Sequence, residues 1–227
     1  RTLSAGKVPL IIGCGSADTK AACALTADAV ACGADALLVI TPYCNKGTAD
    51  GIVEHYRRVA DAACGRPVIL YNIPSRTGVD LTEAQYAALA EVPNIRAVKE
   101  ASGNMAKLTR LCADGKFTVY SGCDDQILPI AALGGRGVVS VLSNIAPAAV
   151  SAMAHAAVDG DLDTARHLAR KYARLISLLF AETNPAPLKY ALELLGLSRG
   201  EVRLPLAEVG DDLKAALREE LTALGML

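Results

Sequence analysis

The sequence has no excess of charge of either sign. Its 23 Lys and Arg residues are balanced by 24 Asp and Glu residues, which gives a formal net charge of −1 at pH 7. A protein that binds nucleic acid needs a basic face to neutralise phosphates, and none is visible here. The composition therefore argues against a nucleic-acid-binding protein.

Long apolar runs are also lacking. No apolar stretch reaches the roughly 18 residues that a membrane-spanning helix requires, and no secretory signal pattern follows Arg1. We therefore expect no membrane partner. Because the sequence also lacks an initiator Met, we expect an N-terminal end that is processed, trimmed or missing.

Cysteine and histidine patterns typical of metal sites are absent. Seven cysteines are present, an odd number at wide spacings, and none forms a Cys-x-x-Cys pair. This predicts reduced cysteines that serve as small apolar side chains in a cytoplasmic protein. Since His55, His155 and His167 have no second type of ligand at a suitable spacing, we expect no metal site.

What the sequence does contain is a large apolar fraction arranged in a repeating pattern. Apolar residues make up 52% of the 227 residues and charged residues 21%, enough for one substantial domain. Short apolar runs of the kind found in buried parallel strands recur every 20 to 30 residues. The predicted strands are Val8–Gly13, Ala36–Ile40, Pro67–Tyr71, Ile95–Lys99, Phe117–Ser121 and Gly137–Val141.

Amphipathic segments lie between and after these runs, which predicts an α/β fold of six consecutive βα units. Thr19, Thr48, Thr82 and Asp124 are the expected N-caps of the helices between the strands. The helices predicted between the strands are 19–31, 48–63, 82–90, 105–112 and 124–133. Those predicted after the last strand are 147–158, 162–180, 186–194 and 211–224.

Six parallel strands can form an open doubly wound sheet or part of an eight-stranded barrel. A doubly wound sheet predicts a glycine-rich phosphate loop after an early strand, and the turn after Gly13 does not match that pattern. Gly134 to Gly137 precede a strand, so we interpret them as a helix-to-strand turn. A barrel requires two further βα units before Arg1, and we favour this interpretation.

Lys99 is the strongest candidate for a catalytic residue, because the active site of a (β/α) barrel lies at the C-terminal ends of its strands. It follows Ile95, Ala97 and Val98 on a strand that should be buried. A buried lysine loses its charge more readily, and a neutral amine is the nucleophile that imine formation requires. A structural lysine that pairs with Glu100 or extends to solvent is the alternative.

Tyr71 and Arg76 are the next candidates on the same rim. A phenol at the end of the neighbouring strand can donate and accept protons beside an imine, although a tyrosine that caps a barrel core is equally common. The Arg76 guanidinium, in a Pro-Ser-Arg-Thr-Gly turn, can grip a carboxylate with two hydrogen bonds. A solvated loop arginine is the alternative.

Six segments together resemble the dihydrodipicolinate synthase / N-acetylneuraminate lyase family. They occur in the family's order and spacing and extend over essentially the whole chain. The segments are TPYCNK, YNIPSRTGVDLT, IRAVKEASGN, YSGCDD, GGRGVVSV and ETNPAPLKYAL.

The resemblance implies a fold, an assembly and a reaction. The fold is a (β/α)8 TIM barrel, here without its first two βα units. Residues 1–160 would form the partial barrel, strands three to eight, and residues 161–227 a C-terminal helical region. The reaction is a pyruvate-dependent Schiff-base condensation or cleavage that needs no metal or organic cofactor. The expected assembly is a homo-oligomer, a tetramer or a dimer.

The resemblance also implies roles for individual residues. Lys99 matches the Schiff-base lysine, Tyr71 the tyrosine that relays protons, and Arg76 the arginine that holds the carboxylate of aspartate semialdehyde. Val139 matches the apolar residue at the end of strand eight, whose backbone borders the pyruvate site. The SRTG turn points to condensation of pyruvate with L-aspartate 4-semialdehyde, in lysine and diaminopimelate synthesis. A pyruvate lyase acting on a sugar acid and a non-catalytic binding relative remain the alternatives.

Three departures from the family pattern are visible. The family's Thr-Thr loop after strand two is absent, so we expect roughly 70 further N-terminal residues, estimated from the length of βα units. Cys44 stands where members commonly carry a second tyrosine that reaches across a dimer interface. Ala17 and Ala21 stand where lysine-inhibited members carry an Asn and a Glu, which predicts weak or no inhibition by lysine.

Overall fold

The protein is described by a computed structural model that covers residues 6–227. The expectations about the N-terminal end at Arg1 lie outside these residues. Strands and helices alternate as the apolar pattern predicts, in an α/β fold with a parallel sheet. The strands are β1 (Ile11–Gly13), β2 (Ala36–Ile40), β3 (Val68–Asn72), β4 (Ile95–Glu100), β5 (Thr118–Ser121) and β6 (Gly137–Val138).

The helices occupy the predicted segments, with one addition. A short helix, α3, occupies the segment that the sequence predicts as a Pro-Ser-Arg-Thr-Gly turn. The ten helices in the described residues are α1 (Thr19–Ala31), α2 (Ala49–Ala62), α3 (Pro74–Thr77), α4 (Glu83–Ala90), α5 (Met105–Asp114), α6 (Ile127–Ala132), α7 (Pro147–Asp159), α8 (Leu162–Leu179), α9 (Ala186–Leu194) and α10 (Asp211–Ala223).

The chain divides into two compact units. The first contains the described residues up to Gly122 together with Leu133–Arg136, and it holds the parallel strands β1 to β5, each paired with the next along the chain. Val39, Leu70 and Val98 are fully buried on one face of this sheet. The five strands of this unit therefore have an apolar core of their own.

The second unit contains Cys123–Ala132 and Gly137–Leu227, with β6 and the helices α6 to α10. Its core is built from the apolar faces of α7, α8 and α10, where Met153, Leu175, Leu179 and Leu217 are almost completely buried. The amphipathic pattern of α8 agrees with this packing, because its buried residues Ala165, Tyr172, Leu175, Ile176 and Leu179 lie on one face of the helix.

Two predicted strands are three residues shorter than expected, for a local reason in each case. β1 begins at Ile11 rather than Val8, because the Leu10 N–H donates to the Asp35 carboxylate at 2.7 Å. β6 ends at Val138 rather than Val141. There the N–H groups of Val141 and Leu142 donate to Oδ2 of Asp124, at 2.9 and 3.2 Å, and a 3-10 turn follows.

The predicted N-caps are partly correct. Thr48 and Thr82 cap α2 and α4 with their side chains. The prediction of Thr19 is wrong: Asp18 caps α1, its carboxylate accepting from Ala21 N–H at 2.7 Å. The prediction of Asp124 is also wrong, because its carboxylate is occupied by backbone groups of a later segment and a 3-10 turn begins there.

The interpretation of cysteine as a small apolar side chain fits one position well. Cys14 is buried, and its thiol donates to the Ile12 carbonyl. The interpretation is wrong for Cys32, Cys44 and Cys64, which are exposed. Cys32 forms the C-terminal cap of α1 and the other two lie in turns with positive φ, so none has a core to pack against.

Candidate active site

Tyr71 and Lys99 lie side by side at the C-terminal ends of β3 and β4. They are direct partners in the parallel register, and the Lys99 Nζ lies 4.0 Å from the centroid of the Tyr71 ring. Both side chains are half-buried. Two of the three residues that the sequence singles out on this rim are therefore in contact.

The same face continues across the neighbouring strands. Ile40 is the register partner of Tyr71, and Tyr120 is the partner of Lys99, which gives a half-buried row of four side chains across β2 to β5. A primary amine becomes a nucleophile when it gives up its proton, and a phenol beside it can exchange protons with bound groups. The row supplies a nucleophile and an acid–base group at one place.

Arg76 lies in α3, one helical turn beyond the end of β3. It is exposed in the last turn of the helix, which ends at Gly78 with a left-handed φ of 70°. The positive φ favours glycine at this position, and the flexible end of the Lys46 side chain lies close by, 3.0 Å from where a Cβ would stand. Lys46 thus brings a second positive charge to the turn, which sequence reasoning missed.

Thr77 fixes the conformation of this turn from inside. Its hydroxyl is within hydrogen-bonding distance of the Ile73 and Val79 carbonyls and of the Thr41 hydroxyl, at 3.0 to 3.1 Å. Thr41 follows β2 directly and is completely buried. The arginine is therefore carried by a turn whose backbone is tied to the ends of two strands.

Cys44 and Ala17 are exposed, and Ala21 is half-buried. The two alanines are the positions from which weak or no inhibition by lysine is predicted. Cys44 follows β2 in a loop and adopts a positive φ of 75°. Ala17 precedes α1 and contributes to a shallow pocket, together with Thr19, Tyr43 and other residues. The effects of Cys44 on proton transfer and of the two alanines on inhibition by lysine stay predictions.

Val139 lies in the second unit, directly after β6, and is half-buried. The segment that follows it is held by Asp124, whose Oδ2 accepts from two backbone N–H groups. The backbone two and three residues beyond Val139 is therefore fixed by a buried carboxyl group, which no local sequence pattern identifies.

A buried polar group of the first unit was also missed. Glu100 follows Lys99 but belongs to the opposite face of the sheet, because successive strand residues alternate. Its carboxyl group is completely buried and accepts from Asn72 Nδ2 at 3.0 Å, from the Tyr86 hydroxyl at 2.8 Å and from the Ser102 N–H at 2.8 Å. The alternation of a strand is the signal that could have placed it there.

Asn72 extends this group further. Its Nδ2 also donates to Asp80 at 2.8 Å, and its Oδ1 accepts from the Leu81 N–H at 3.0 Å. Asp80 in turn forms an ion pair with Lys107 at the start of α5. We call Asn72, Asp80, Tyr86, Glu100 and Lys107 the Glu100 network.

A protein-family model matches this chain over residues 1–224, and its description is the dihydrodipicolinate synthetase family. The chain belongs to that family. A curated relative, the 4-hydroxy-tetrahydrodipicolinate synthase of Methanothrix thermoacetophila, is 46% identical over 223 residues, which are 97% of this chain and 75% of the relative.

Solved structures of family members agree with the fold. The dihydrodipicolinate synthase of Aquifex aeolicus superimposes with a TM-score of 0.96 at 40% identity, covering 99% of this chain and 78% of that one. The chloride-inhibited dihydrodipicolinate synthase of Acinetobacter baumannii, complexed with pyruvate, gives a TM-score of 0.96 at 40% identity, covering 100% and 78%. The resemblance seen in the six sequence segments is confirmed.

Across residues 6–227, no three His, Cys, Asp or Glu side chains group together so that they could hold a metal ion. None of the helices in that range is both long enough and apolar enough to cross a membrane.

Proposed function

We propose that this protein condenses pyruvate with L-aspartate 4-semialdehyde to give 4-hydroxy-tetrahydrodipicolinate, in lysine and diaminopimelate synthesis. The observation that carries the proposal is the contact between Lys99 and Tyr71, a primary amine beside a phenol at the carboxyl ends of parallel strands. The names of the curated relatives support the same reaction.

The first half of the reaction forms a covalent intermediate. The neutral Lys99 amine attacks the ketone carbon of pyruvate, and the resulting carbinolamine loses water to give an imine. Tyr71 moves protons between the nitrogen, the departing hydroxyl group and the methyl carbon. Loss of a methyl proton converts the imine to an enamine, whose carbon is nucleophilic.

The second half joins the two substrates. The enamine carbon attacks the aldehyde of L-aspartate 4-semialdehyde, and the aldehyde oxygen takes up a proton and becomes a hydroxyl group. Arg76 holds the carboxylate of this substrate through two parallel hydrogen bonds. The substrate amine then attacks the imine carbon, closes the ring and releases Lys99, so that one water is lost overall.

We further propose how the chain corresponds to a complete fold. Strands β1 to β6 correspond to strands three to eight of a (β/α)8 barrel, residues 1–160 to the barrel part and residues 161–227 to a helical region. Val139 then borders the pyruvate site at the end of strand eight. The agreement with solved family members over 78% of their length supports this correspondence. The protein acts as a cytoplasmic homo-oligomer.

Borohydride trapping tests the proposed function. The purified protein is incubated with pyruvate, reduced with sodium borohydride, digested and mapped by mass spectrometry. We expect the mass of reduced pyruvate on the peptide that contains Lys99. We expect no adduct in Lys99→Arg and a normal one in Lys116→Arg, a matched change at an exposed lysine of the same unit. A protein without an adduct, or with one on another lysine, would overturn the proposal.

A further inference from the structure

The Glu100 network lies directly behind the Tyr71–Lys99 pair. Asn72 follows Tyr71 and Glu100 follows Lys99, and these two are themselves register partners in β3 and β4. The Asn72 amide bridges both carboxyl oxygens of Glu100, at 3.0 and 3.1 Å. The same pair of strands thus carries the amine and phenol on one face and a side-chain bridge on the other.

We propose that Glu100 and Tyr86 are positioning residues that set the alignment of Lys99 with Tyr71 for imine formation. This inference rests on the proposed function of Lys99. Burying a carboxyl group without a cation against it is costly, and hydrogen bonds must compensate. Three donors from three different segments converge on Glu100, which fixes the end of β4 relative to β3, α4 and the loop before α5.

The network also reaches the loop that carries Arg76. Asp80 and the Leu81 N–H, which follow α3, are both held by the Asn72 side chain. Lys107 completes the connection through its ion pair with Asp80, and its side chain is only 9% exposed. The network, which is buried except at the exposed Asp80, therefore connects the segments that carry all three proposed site residues of the first unit.

Tyr86 is the most informative member to change. Its side chain is almost completely buried, and its ring packs edge-on against Phe117, with the centroids 6.0 Å apart. Burial raises the pKa of the Tyr86 phenol well above 10, and the adjacent Glu100 charge and hydrogen bond raise it further. The phenol therefore stays protonated and can donate its hydrogen bond to Glu100. Tyr86→Phe removes this one donor and keeps the ring.

The test compares the rate of imine formation with its final extent. The protein is mixed with pyruvate, reduced with borohydride after increasing times, and the trapped fraction is measured. We expect Tyr86→Phe and Glu100→Gln to lower the rate of imine formation and kcat on the order of tenfold, because a small displacement of a reacting group lowers the reaction rate strongly. The final trapped fraction and the KM for pyruvate should stay within about twofold of the original values.

Tyr56→Phe is the matched control. Tyr56 is also a fully buried phenol of the first unit, but it donates to the Val39 carbonyl at 3.2 Å and does not contact Glu100. We expect its trapping rate to be unchanged. If Glu100→Gln fails to fold, Tyr86→Phe decides the question, because it removes a single oxygen atom and leaves the ring packing intact.

Two results would overturn the inference. One is an unchanged trapping rate in Tyr86→Phe, and the other is a slower rate in Tyr56→Phe of the same size. If the unchanged rate of the first case comes with a smaller trapped fraction, the network stabilises the fold alone. Failure of the proposed function is distinguishable, because the unsubstituted protein would then give no adduct at all.

Discussion

At the scale of a single residue, Arg76 should determine the specificity for L-aspartate 4-semialdehyde over other aldehydes. The arginine is exposed at the end of α3, outside the row that contains Lys99, so its substitution should leave the first half of the reaction intact. We predict that Arg76→Ala lowers kcat/KM for L-aspartate 4-semialdehyde about a hundredfold or more, since a two-bond contact to a carboxylate is lost. The measurement is steady-state kinetics with both substrates varied.

Trapping of pyruvate by Arg76→Ala should remain at the original rate. Arg58→Ala is a suitable control, because Arg58 is an exposed arginine of α2 that pairs with Glu54. It should leave both kinetic parameters unchanged. If Arg76→Ala retains full activity with the semialdehyde, a different aldehyde or a different carboxylate contact has to be sought.

The residues of the site were predictable to different degrees from the sequence. Lys99 and Tyr71 could be selected because polar residues directly after apolar runs mark the functional edge of a parallel sheet. Their contact could not be predicted, because it depends on the register between β3 and β4. The 22 residues between the two strands (73–94) contain no local pattern that determines this register. The hydrogen bond from Tyr86 to Glu100 could not be predicted either, because tertiary packing alone brings this helical residue to the end of the strand.

The start of α4 carries a prediction at the scale of a structural element. Thr82 and Gln85 form a capping box in which the threonine hydroxyl accepts from the Gln85 N–H and the glutamine side chain accepts from the Thr82 N–H. Gln85 also donates to the Ala49 carbonyl at the start of α2. We predict that Thr82→Ala lowers the free energy of unfolding by about 1 kcal/mol. Urea denaturation followed by circular dichroism measures this.

Thr109→Ala is the control for the capping prediction. Thr109 is an exposed threonine inside α5 whose hydroxyl bonds back to the Met105 carbonyl. Alanine has the higher helix propensity at such a position, so the free energy of unfolding should stay the same or rise slightly. Equal losses in both variants would show that the capping box contributes nothing of its own.

Elements were predictable where one local signal dominates. β2 and α9 have the predicted bounds, because an apolar run or a periodic stretch there is followed at once by polar or turn residues. The last residues assigned to β6 illustrate the opposite case. Their sequence is apolar enough for a strand, but the distant Asp124 captures two backbone N–H groups and ends the strand early.

At the scale of the whole molecule, we expect buried titratable groups to limit the pH range of stability. Burial of the Tyr56 and Tyr86 phenols raises their pKa values in the folded protein. The unfolded chain releases these protons near pH 10, so stability is fully present below that pH and declines above it. For the acid limit we expect a contribution from His55, whose ring is buried with Nδ1 3.0 Å from the Thr19 hydroxyl.

His55 should make the protein less stable in mild acid. Burial lowers the pKa of its imidazole in the folded protein, and the Asp18 carboxylate offsets only part of this effect. Stability is therefore present above the unfolded value near pH 6.5 and declines as the pH falls below it, by at most about 1.4 kcal/mol per pH unit for one proton. We predict that His55→Gln flattens the pH dependence of the unfolding free energy between pH 7 and about pH 5.

His155→Gln, at an exposed histidine of α7, is the control and should leave the slope unchanged. An equally steep decline in His55→Gln would assign the acid sensitivity to carboxylates instead, because His55 is then not the group that must take up a proton on unfolding.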